Sequence, residues 1–163
     1  MLVGEHDNVK VGDFGLSRVL DEKAYYTMKT NGMIALRRTA PECFTSAQWT
    51  SLSDAYSFGV VISEVYTCGA TPFEAIEDSD LIAMINGTEA LDRHLSFSSP
   101  LFDRPEAPLR VHALASWCLR RPPESRPSFE ALADGFLHLC SSVALLPSPD
   151  DYLDIIRSDE VRC

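Results

Sequence analysis

The feature that most constrains the fold is a run of apolar residues near the middle of the chain. Thr50, Ser51 and Ser53 supply oxygens that can cap a helix N-terminus, and Gly69 and Pro72 end the pattern that follows. The apolar residues that recur at helical spacing between these limits are Phe58, Val61, Ile62, Val65 and Tyr66. Because this predicted helix is apolar on almost every side, it needs neighbours on several sides. The sequence therefore predicts a mainly α domain built around one buried helix.

Shorter patterns predict the elements on either side of this helix. Valine alternates with other residues over 9–12, behind a turn-prone Asp-Asn pair, which predicts a short β-hairpin at the N-terminus. Helical spacing and end signals predict further helices over 79–85, over 111–119 and from Ser128 onward. The last of these is expected to place on one face Phe129, Leu132, Ala133, Phe136 and Leu137.

The chain divides into one domain and a tail. At 163 residues it has room for a single core, which we assign to 1–140. Within it, 13–42 lacks any sustained period and predicts a long loop, either functional or disordered, whereas 43–140 is helical. The remaining residues, 141–163, contain two prolines and five acidic residues and are interpreted as an acidic tail.

Composition excludes several classes of partner. A formal charge of −10 and a pI near 4.7 argue against a nucleic-acid surface, which needs clustered Lys and Arg. No apolar stretch approaches membrane-spanning length. The five cysteines include no CxxC pair, so we expect reduced thiols in a cytoplasmic protein rather than a zinc or redox site.

Four short motifs occur in the order and at roughly the spacing of the protein-kinase signature. They are Asp13-Phe14-Gly15, Ala40-Pro41-Glu42 beginning 27 residues later, SDAYSFGV over 53–60, and Arg126-Pro127-Ser128-Phe129. On these motifs the chain resembles the protein kinase family, from the DFG motif onward. The resemblance implies the C-terminal lobe of the kinase fold, with the N-lobe and the catalytic loop absent.

The resemblance implies a role for each residue of the first motif. Asp13 matches the kinase aspartate that holds the Mg²⁺ bridging the ATP phosphates, and a carboxylate suits that hard cation. Phe14 matches the residue whose packing sets active or inactive states, and Gly15 permits an unusual backbone turn. Taken alone, such a tripeptide is most often a turn after a strand.

Two further carried-over roles are structural. The resemblance also makes 13–42 the activation segment, and Glu42 and Arg126 match the kinase ion pair that ties the end of this segment to the last helices. Asp54 matches the aspartate that accepts hydrogen bonds from the catalytic-loop backbone. The alternatives are ordinary surface charges for the pair and a residue favoured by the helix dipole for Asp54.

Residues 32–42 resemble the GKIPIRWTAPE stretch of tyrosine kinases, which favours tyrosine as the acceptor. Ala35 replaces the usual Pro and Arg38 replaces the usual Trp, so serine or threonine specificity stays open. Tyr25 and Tyr26 stand where tyrosine kinases carry regulatory tyrosines, and phosphates there would add negative charge near the following arginines. Two amphipathic loop residues are the alternative.

In the tail, Tyr152 follows two aspartates and precedes an apolar residue three positions on, a pattern resembling docking sites for phosphotyrosine-reading domains. Packing of this tyrosine on the domain is the alternative.

Kinase chemistry also requires a Gly-rich loop, a strand Lys and a catalytic loop with its base Asp, and none is present in this sequence. We therefore expect a fragment of a cytoplasmic or membrane-anchored kinase that uses ATP and Mg²⁺ on protein substrates. The isolated chain is expected to be inactive and to bind neither ATP nor Mg²⁺ tightly. The alternative is a non-catalytic, pseudokinase-like interaction module.

Overall fold

A computed structural model of the chain describes residues 1–4, 9–20, 25–27, 34–87 and 109–143, with side chains from 111 to 139 in the last range. The helices are α1 (Pro41–Thr45), α2 (Ser51–Tyr66), α3 (Asp78–Asn86), α4 (Leu109–Cys118) and α5 (Phe129–Val143). The strands are β1 (Leu2–Val3), β2 (Val9–Lys10), β3 (Tyr26–Thr27) and β4 (Gln48–Trp49). The fold is mainly α, as the sequence predicts.

The four strands form two antiparallel pairs. In the N-terminal pair, Leu2 lies opposite Lys10 and Val3 opposite Val9, which confirms the predicted hairpin, although its turn lies outside the described residues. In the second pair, β3 lies beside β4, with Tyr26 opposite Trp49. The second pair was not predicted, because two-residue strands are too short to show a period.

Helix α2 begins at a complete capping box. The Thr50 hydroxyl accepts hydrogen bonds from the backbone N–H groups of Leu52 and Ser53, at 3.1 and 3.2 Å. In return, the Ser53 hydroxyl accepts from the backbone N–H of Thr50 at 3.0 Å. These three backbone N–H donors thereby have side-chain acceptors, so the helix has a defined start.

Helix α2 is buried because α4 packs closely along it. A Cβ added at Gly59 would lie only 2.6 Å from the Cβ of Cys118, so only glycine permits this approach of the two helices. On the same side, Ile62 contacts Val111 and Ala115 in one buried cluster. The other face of α2 supplies Tyr56 and Val60 to a second cluster, whose further buried members are Ala40, Cys43, Leu81, Ile85 and Leu119.

Helix α5 is less buried than its sequence pattern predicts. Leu132 is 2% exposed, but Phe129 and Leu137 are 42% and 64% exposed, and Ala133 is also exposed. The ring of Phe136 packs edge-on against Phe58 of α2. Among the described residues, only one stripe of α5 meets a neighbour.

Helix α5 also continues to Val143 and so crosses the predicted domain boundary at residue 140. Apolar spacing stops near that boundary, but backbone hydrogen bonds can extend a helix through polar residues such as Ser141 and Ser142.

The cysteines do not all behave as expected. Cys43 and Cys118 are buried free thiols. Cys68 is disulfide-bonded to a partner outside the described side chains, so the prediction of reduced thiols is wrong there. Sequence spacing does not show which distant cysteines approach one another in the fold.

Among the helices of the described residues, none combines the length and apolar character needed to cross a membrane.

Candidate functional site

The DFG residues form a tight, exposed turn just after β2. Asp13 adopts a left-handed backbone conformation, with φ 64° and ψ 66°, and Phe14–Leu16 forms a single turn of 3₁₀ helix behind it. Aspartate tolerates this region better than most residues do. The Ser17 N–H closes the turn on the Phe14 carbonyl at 3.0 Å. The turn therefore presents the Asp13 side chain to solvent.

Asp13 suits one coordination position on Mg²⁺ and no more. Its carboxylate makes no hydrogen bond or ion pair with any residue that the structure describes. The same residues contain no group of three or more acidic, His or Cys side chains that could hold a metal ion. Mg²⁺ is usually held by one or two carboxylates together with substrate phosphates and water. Asp13 fits that pattern as a single ligand.

Phe14 does not pack inward here. Its side chain is 67% exposed, and the adjacent Leu16 is 75% exposed. The inward packing that the kinase resemblance implies is therefore not present among the described residues.

Tyr25 and Tyr26, which the kinase resemblance suggests as regulatory tyrosines, have different surroundings. Tyr25 is 38% exposed. Tyr26 is half-buried in the β3–β4 pair, and the Arg18 guanidinium lies over its ring at 5.6 Å from the centroid. Arg18 also donates to the Ser17 carbonyl at 2.8 Å, which holds it near the turn. Arg18 is therefore a cation beside Tyr26 within the part of the chain that the structure describes.

Arg37 lies at the end of the segment and is bound to the loop that precedes α3. Its Nη1 donates to the carbonyls of Pro72 and Phe73, and its Nη2 donates to the Ile76 carbonyl at 2.7 Å. Nη2 also forms an ion pair with Asp78 at 2.6 Å. The guanidinium is therefore already bound to residues 72–78.

Arg38 is engaged in the same way, but with α2. Its Nε and Nη2 both donate to the Glu64 carboxylate, the shortest contact being 2.6 Å. This hydrogen bond is the main reason that the pKa of Arg38 is raised. Sequence reasoning placed Arg37 and Arg38 near any activation-segment phosphate, whereas the structure shows both already paired.

Glu42 and Arg126 form a bidentate ion pair that joins α1 to the turn before α5. Arg126 Nη1 and Nη2 donate to the two Glu42 oxygens at 2.5 and 2.9 Å. The remaining donors reach backbone carbonyls of Leu52, Arg120 and Arg121, at 2.9, 2.6 and 3.1 Å. All five guanidinium N–H groups therefore have a partner.

This ion pair is buried on the arginine side. The Arg126 side chain is 0% exposed and that of Glu42 is 18% exposed. The guanidinium carbon also lies 5.0 Å above the ring centre of buried Tyr56. Tyr56 occupies the position of Trp in the SDVWSFGV motif and places an aromatic face under the cation. Burial is the main reason that its pKa is raised.

Asp54 is exposed at the start of α2, and its carboxylate has no hydrogen-bond partner within the described ranges. Burial by its surroundings still raises its pKa. Its predicted role towards a catalytic-loop backbone therefore stays a prediction. Tyr152 lies outside the described residues.

Sequence reasoning missed four contacts at this site: Arg18 with Tyr26, Arg37 with Asp78, Arg38 with Glu64, and Tyr56 with Arg126. Each joins residues that are distant in the chain or separated by a turn, and no local pattern signals such contacts. The one sequence clue to an unusual partner was Arg38 itself, which stands where tyrosine kinases usually have Trp.

Comparisons with known proteins agree with the motifs and the fold. The sequence profile described as "Protein tyrosine and serine/threonine kinase" matches residues 1–136. The chain is 29% identical over 153 residues to fibroblast growth factor receptor 1 of Dugesia japonica. It is 31% identical over 137 residues to a putative molluscan insulin-related peptide(s) receptor of Lymnaea stagnalis.

These alignments cover most of this chain but little of the relatives. They include 93% and 83% of the chain, but only 16% and 8% of the planarian and molluscan receptors.

Proposed function

Since the chain belongs to the protein tyrosine and serine/threonine kinase family, we propose that it is the activation segment and helical lobe of a protein tyrosine kinase. The complete protein would transfer the γ-phosphoryl group of ATP to tyrosine hydroxyls of protein substrates. The two similar receptors and the tyrosine-kinase-like stretch over 32–42 support tyrosine as the acceptor.

The observation that carries this proposal is the buried pair of Arg126 and Glu42. Phosphoryl transfer depends mainly on positioning, because little covalent chemistry is left to the protein. The pair fixes the end of the activation segment to the helical body, so the segment is rigidly anchored near its substrate-binding end. A solvent-exposed ion pair would not anchor it in this way.

In the complete protein, Asp13 would hold a Mg²⁺ ion against the phosphates of ATP. The metal would supply charge neutralisation at those phosphates. The part of Asp13 is to place one carboxylate at the exposed DFG turn, where its left-handed backbone directs the side chain outward.

The isolated chain is proposed to be inert. Its sequence contains no HRD motif and no Gly-rich loop, which supply the base and the nucleotide clamp in kinases. One carboxylate without these groups provides neither an oriented nucleophile nor a bound nucleotide. A non-catalytic, pseudokinase-like module remains the competing function.

The proposal extends to regulation and location. Tyr25 and Tyr26 would be the regulatory tyrosines, and Tyr152 in the tail would be a docking site for phosphotyrosine-reading domains. The kinase region would act in the cytoplasm, either free or joined to a membrane anchor elsewhere in the parent protein.

The test uses the protein encoded by the longest transcript that contains this chain. The expected result is transfer of labelled phosphate from ATP to a tyrosine-containing copolymer, and loss of that transfer in Asp13→Asn. Asp134→Asn, the same change at an exposed position of α5, is the matched control and should remain active.

Two results would overturn the proposal. Equal activity of Asp13→Asn and wild type would show that Asp13 does not hold the metal. A complete protein that binds partners but transfers no phosphate to tyrosine would favour the pseudokinase-like module. Separately, the 163-residue chain is expected to show no transfer above its own Asp13→Asn variant.

A further inference from the structure

A groove lies between α4 and α5, away from the residues of the proposed kinase site. Its volume is about 350 Å³, and its floor includes Leu114 and Leu139. Gly135 leaves space in the groove, because a Cβ at this position would lie 3.0 Å from a Leu114 methyl group. The two helices therefore leave an apolar channel on the surface of the domain.

One end of the groove carries a cation and a fixed indole. Trp117 lines the groove, and its Nε1 donates to the Ser125 carbonyl at 3.0 Å, which holds the ring in place. Arg120 is exposed at the rim, and its one hydrogen bond to a described residue is a 3.4 Å contact with the same carbonyl. The groove thus combines an apolar floor with a cationic rim, which suits an acidic segment that also carries apolar side chains.

The chain itself contains such a segment just beyond α5. Residues 150–156 read Asp-Asp-Tyr-Leu-Asp-Ile-Ile, with three aspartates and four apolar or aromatic residues. We propose that this segment folds back into the groove between α4 and α5, its apolar side chains on the floor and its aspartates toward Arg120.

The length of the intervening chain permits this return. Val143 and Asp150 are seven positions apart, and an extended chain of that length spans up to about 23 Å. The groove residue Gly135 lies eight residues before Val143, which is about 12 Å along a helix. The segment can therefore reach back to Gly135 in the groove without unwinding α5.

Docking would control access to Tyr152. In the groove its ring would be covered, so neither a kinase nor a phosphotyrosine-reading domain could reach it. A phosphate on Tyr152 would in turn oppose docking, because a dianion is costly to place on an apolar floor.

The experiment measures cleavage of the tail by a protease that cuts before aspartate, followed by intact mass. A synthetic peptide of residues 144–163 gives the rate for the undocked segment. In the full chain, cleavage before Asp150, Asp151 and Asp154 is expected to be at least about tenfold slower, since a docked segment must open before it is cut.

Substitutions at two exposed positions, in or beside the groove, test whether the groove holds the segment. Ala113→Trp fills the groove and is expected to raise cleavage close to the rate of the peptide. Arg120→Glu reverses the charge at the rim and is expected to accelerate cleavage about threefold or more. Two variants at other exposed sites are the controls: Ala83→Trp on α3 makes the same substitution, and Lys10→Glu on β2 makes the same charge reversal. Both should leave the rate unchanged.

Three results would overturn the proposal. The tail of the full chain could be cut as fast as the peptide, which would show that it is not docked. Protection could survive both Ala113→Trp and Arg120→Glu, which would place the segment elsewhere. Protection that rises with protein concentration would assign the groove to a second copy of the chain.

Discussion

Arg126 and Glu42 lie 84 positions apart in the sequence, yet the guanidinium of one contacts both carboxylate oxygens of the other. The arginine is fully buried and each of its five N–H groups has an acceptor. A buried cation with complete hydrogen bonding depends on every partner, so this contact is the point where the fold should be most sensitive to a single change.

Arg126→Met is expected to lower the free energy of unfolding by about 3–5 kcal/mol, because it leaves the Glu42 carboxylate and three carbonyls without their partner. Urea unfolding followed by circular dichroism measures the change. The matched control is Arg38→Met, which breaks a more exposed pair with Glu64 and should cost about 1 kcal/mol or less. Equal losses in the two variants would contradict the importance of the buried pair.

If Arg126→Met does not fold, Glu42→Gln provides the same test in a milder form. The amide keeps the shape of the carboxylate but loses its charge and half of its acceptor capacity. A loss of about 1–3 kcal/mol is expected.

Gly59→Ala is expected to destabilise the domain by about 1–3 kcal/mol, because α2 and α4 would have to move apart to admit the methyl group. The new Cβ would lie 2.6 Å from the Cβ of Cys118 and 3.3 Å from the Ala115 carbonyl. Thermal unfolding of the two variants measures the effect.

Gly135→Ala is the matched control, since its new Cβ meets only the tip of the Leu114 side chain, at 3.0 Å or more. That tip can turn aside, and alanine favours a helix by about 1 kcal/mol over glycine. Gly135→Ala should therefore be neutral or stabilising, and a loss as large as that of Gly59→Ala would contradict the account.

Stability is expected to fall in alkaline solution. Burial raises the pKa of Cys43 and of Cys118 to about 11, whereas an unfolded thiol titrates near 8.5. The folded state therefore holds these protons more tightly, so the contribution is present in full below about pH 8.5. It is lost as the pH rises towards 11.

Urea midpoints measured between pH 7 and pH 10 check this prediction. The double variant Cys43→Ala and Cys118→Ala removes both thiols and should show a flatter decline over that range. Curves of equal slope for the variant and the wild type would show that other groups cause the decline.

A phosphate on Tyr26 is expected to pair with Arg18, because Arg37 and Arg38 already have carboxylate partners. The pairing should lower the second pKa of the phosphate below its usual value of about 6. The measurement is a phosphorus NMR titration of the chain after treatment with a tyrosine kinase.

Arg18→Gln should return that pKa towards about 6, whereas Arg38→Gln should leave it unchanged. The opposite pattern would assign the phosphate to the end of the activation segment.

Local signals were enough to locate the main elements. The Thr50 cap and the apolar run behind it predict α2, because both act within one or two turns of the same helix. The predicted helix over 79–85 lies within α3, Asp78–Asn86, which ends just before Gly87. Motif order similarly indicated the kinase family, since each motif is short and contiguous in the chain.

Contacts between distant segments could not be predicted in the same way. Nothing near Arg38 indicates that Glu64 will face it, and nothing near Cys68 names its disulfide partner. Likewise, β3 can pair with β4 only when the loop that contains β3 packs beside the residues that precede α2.

The order of residues determined where the main helices begin and which family the chain belongs to, because capping, periodicity and motif spacing are properties of short stretches. The tertiary structure alone decided that Arg126 is buried with all its donors satisfied, that Arg37 and Arg38 are engaged, and that Phe14 is exposed. Burial and partner choice depend on which distant surfaces meet, and that is settled only when the helices pack.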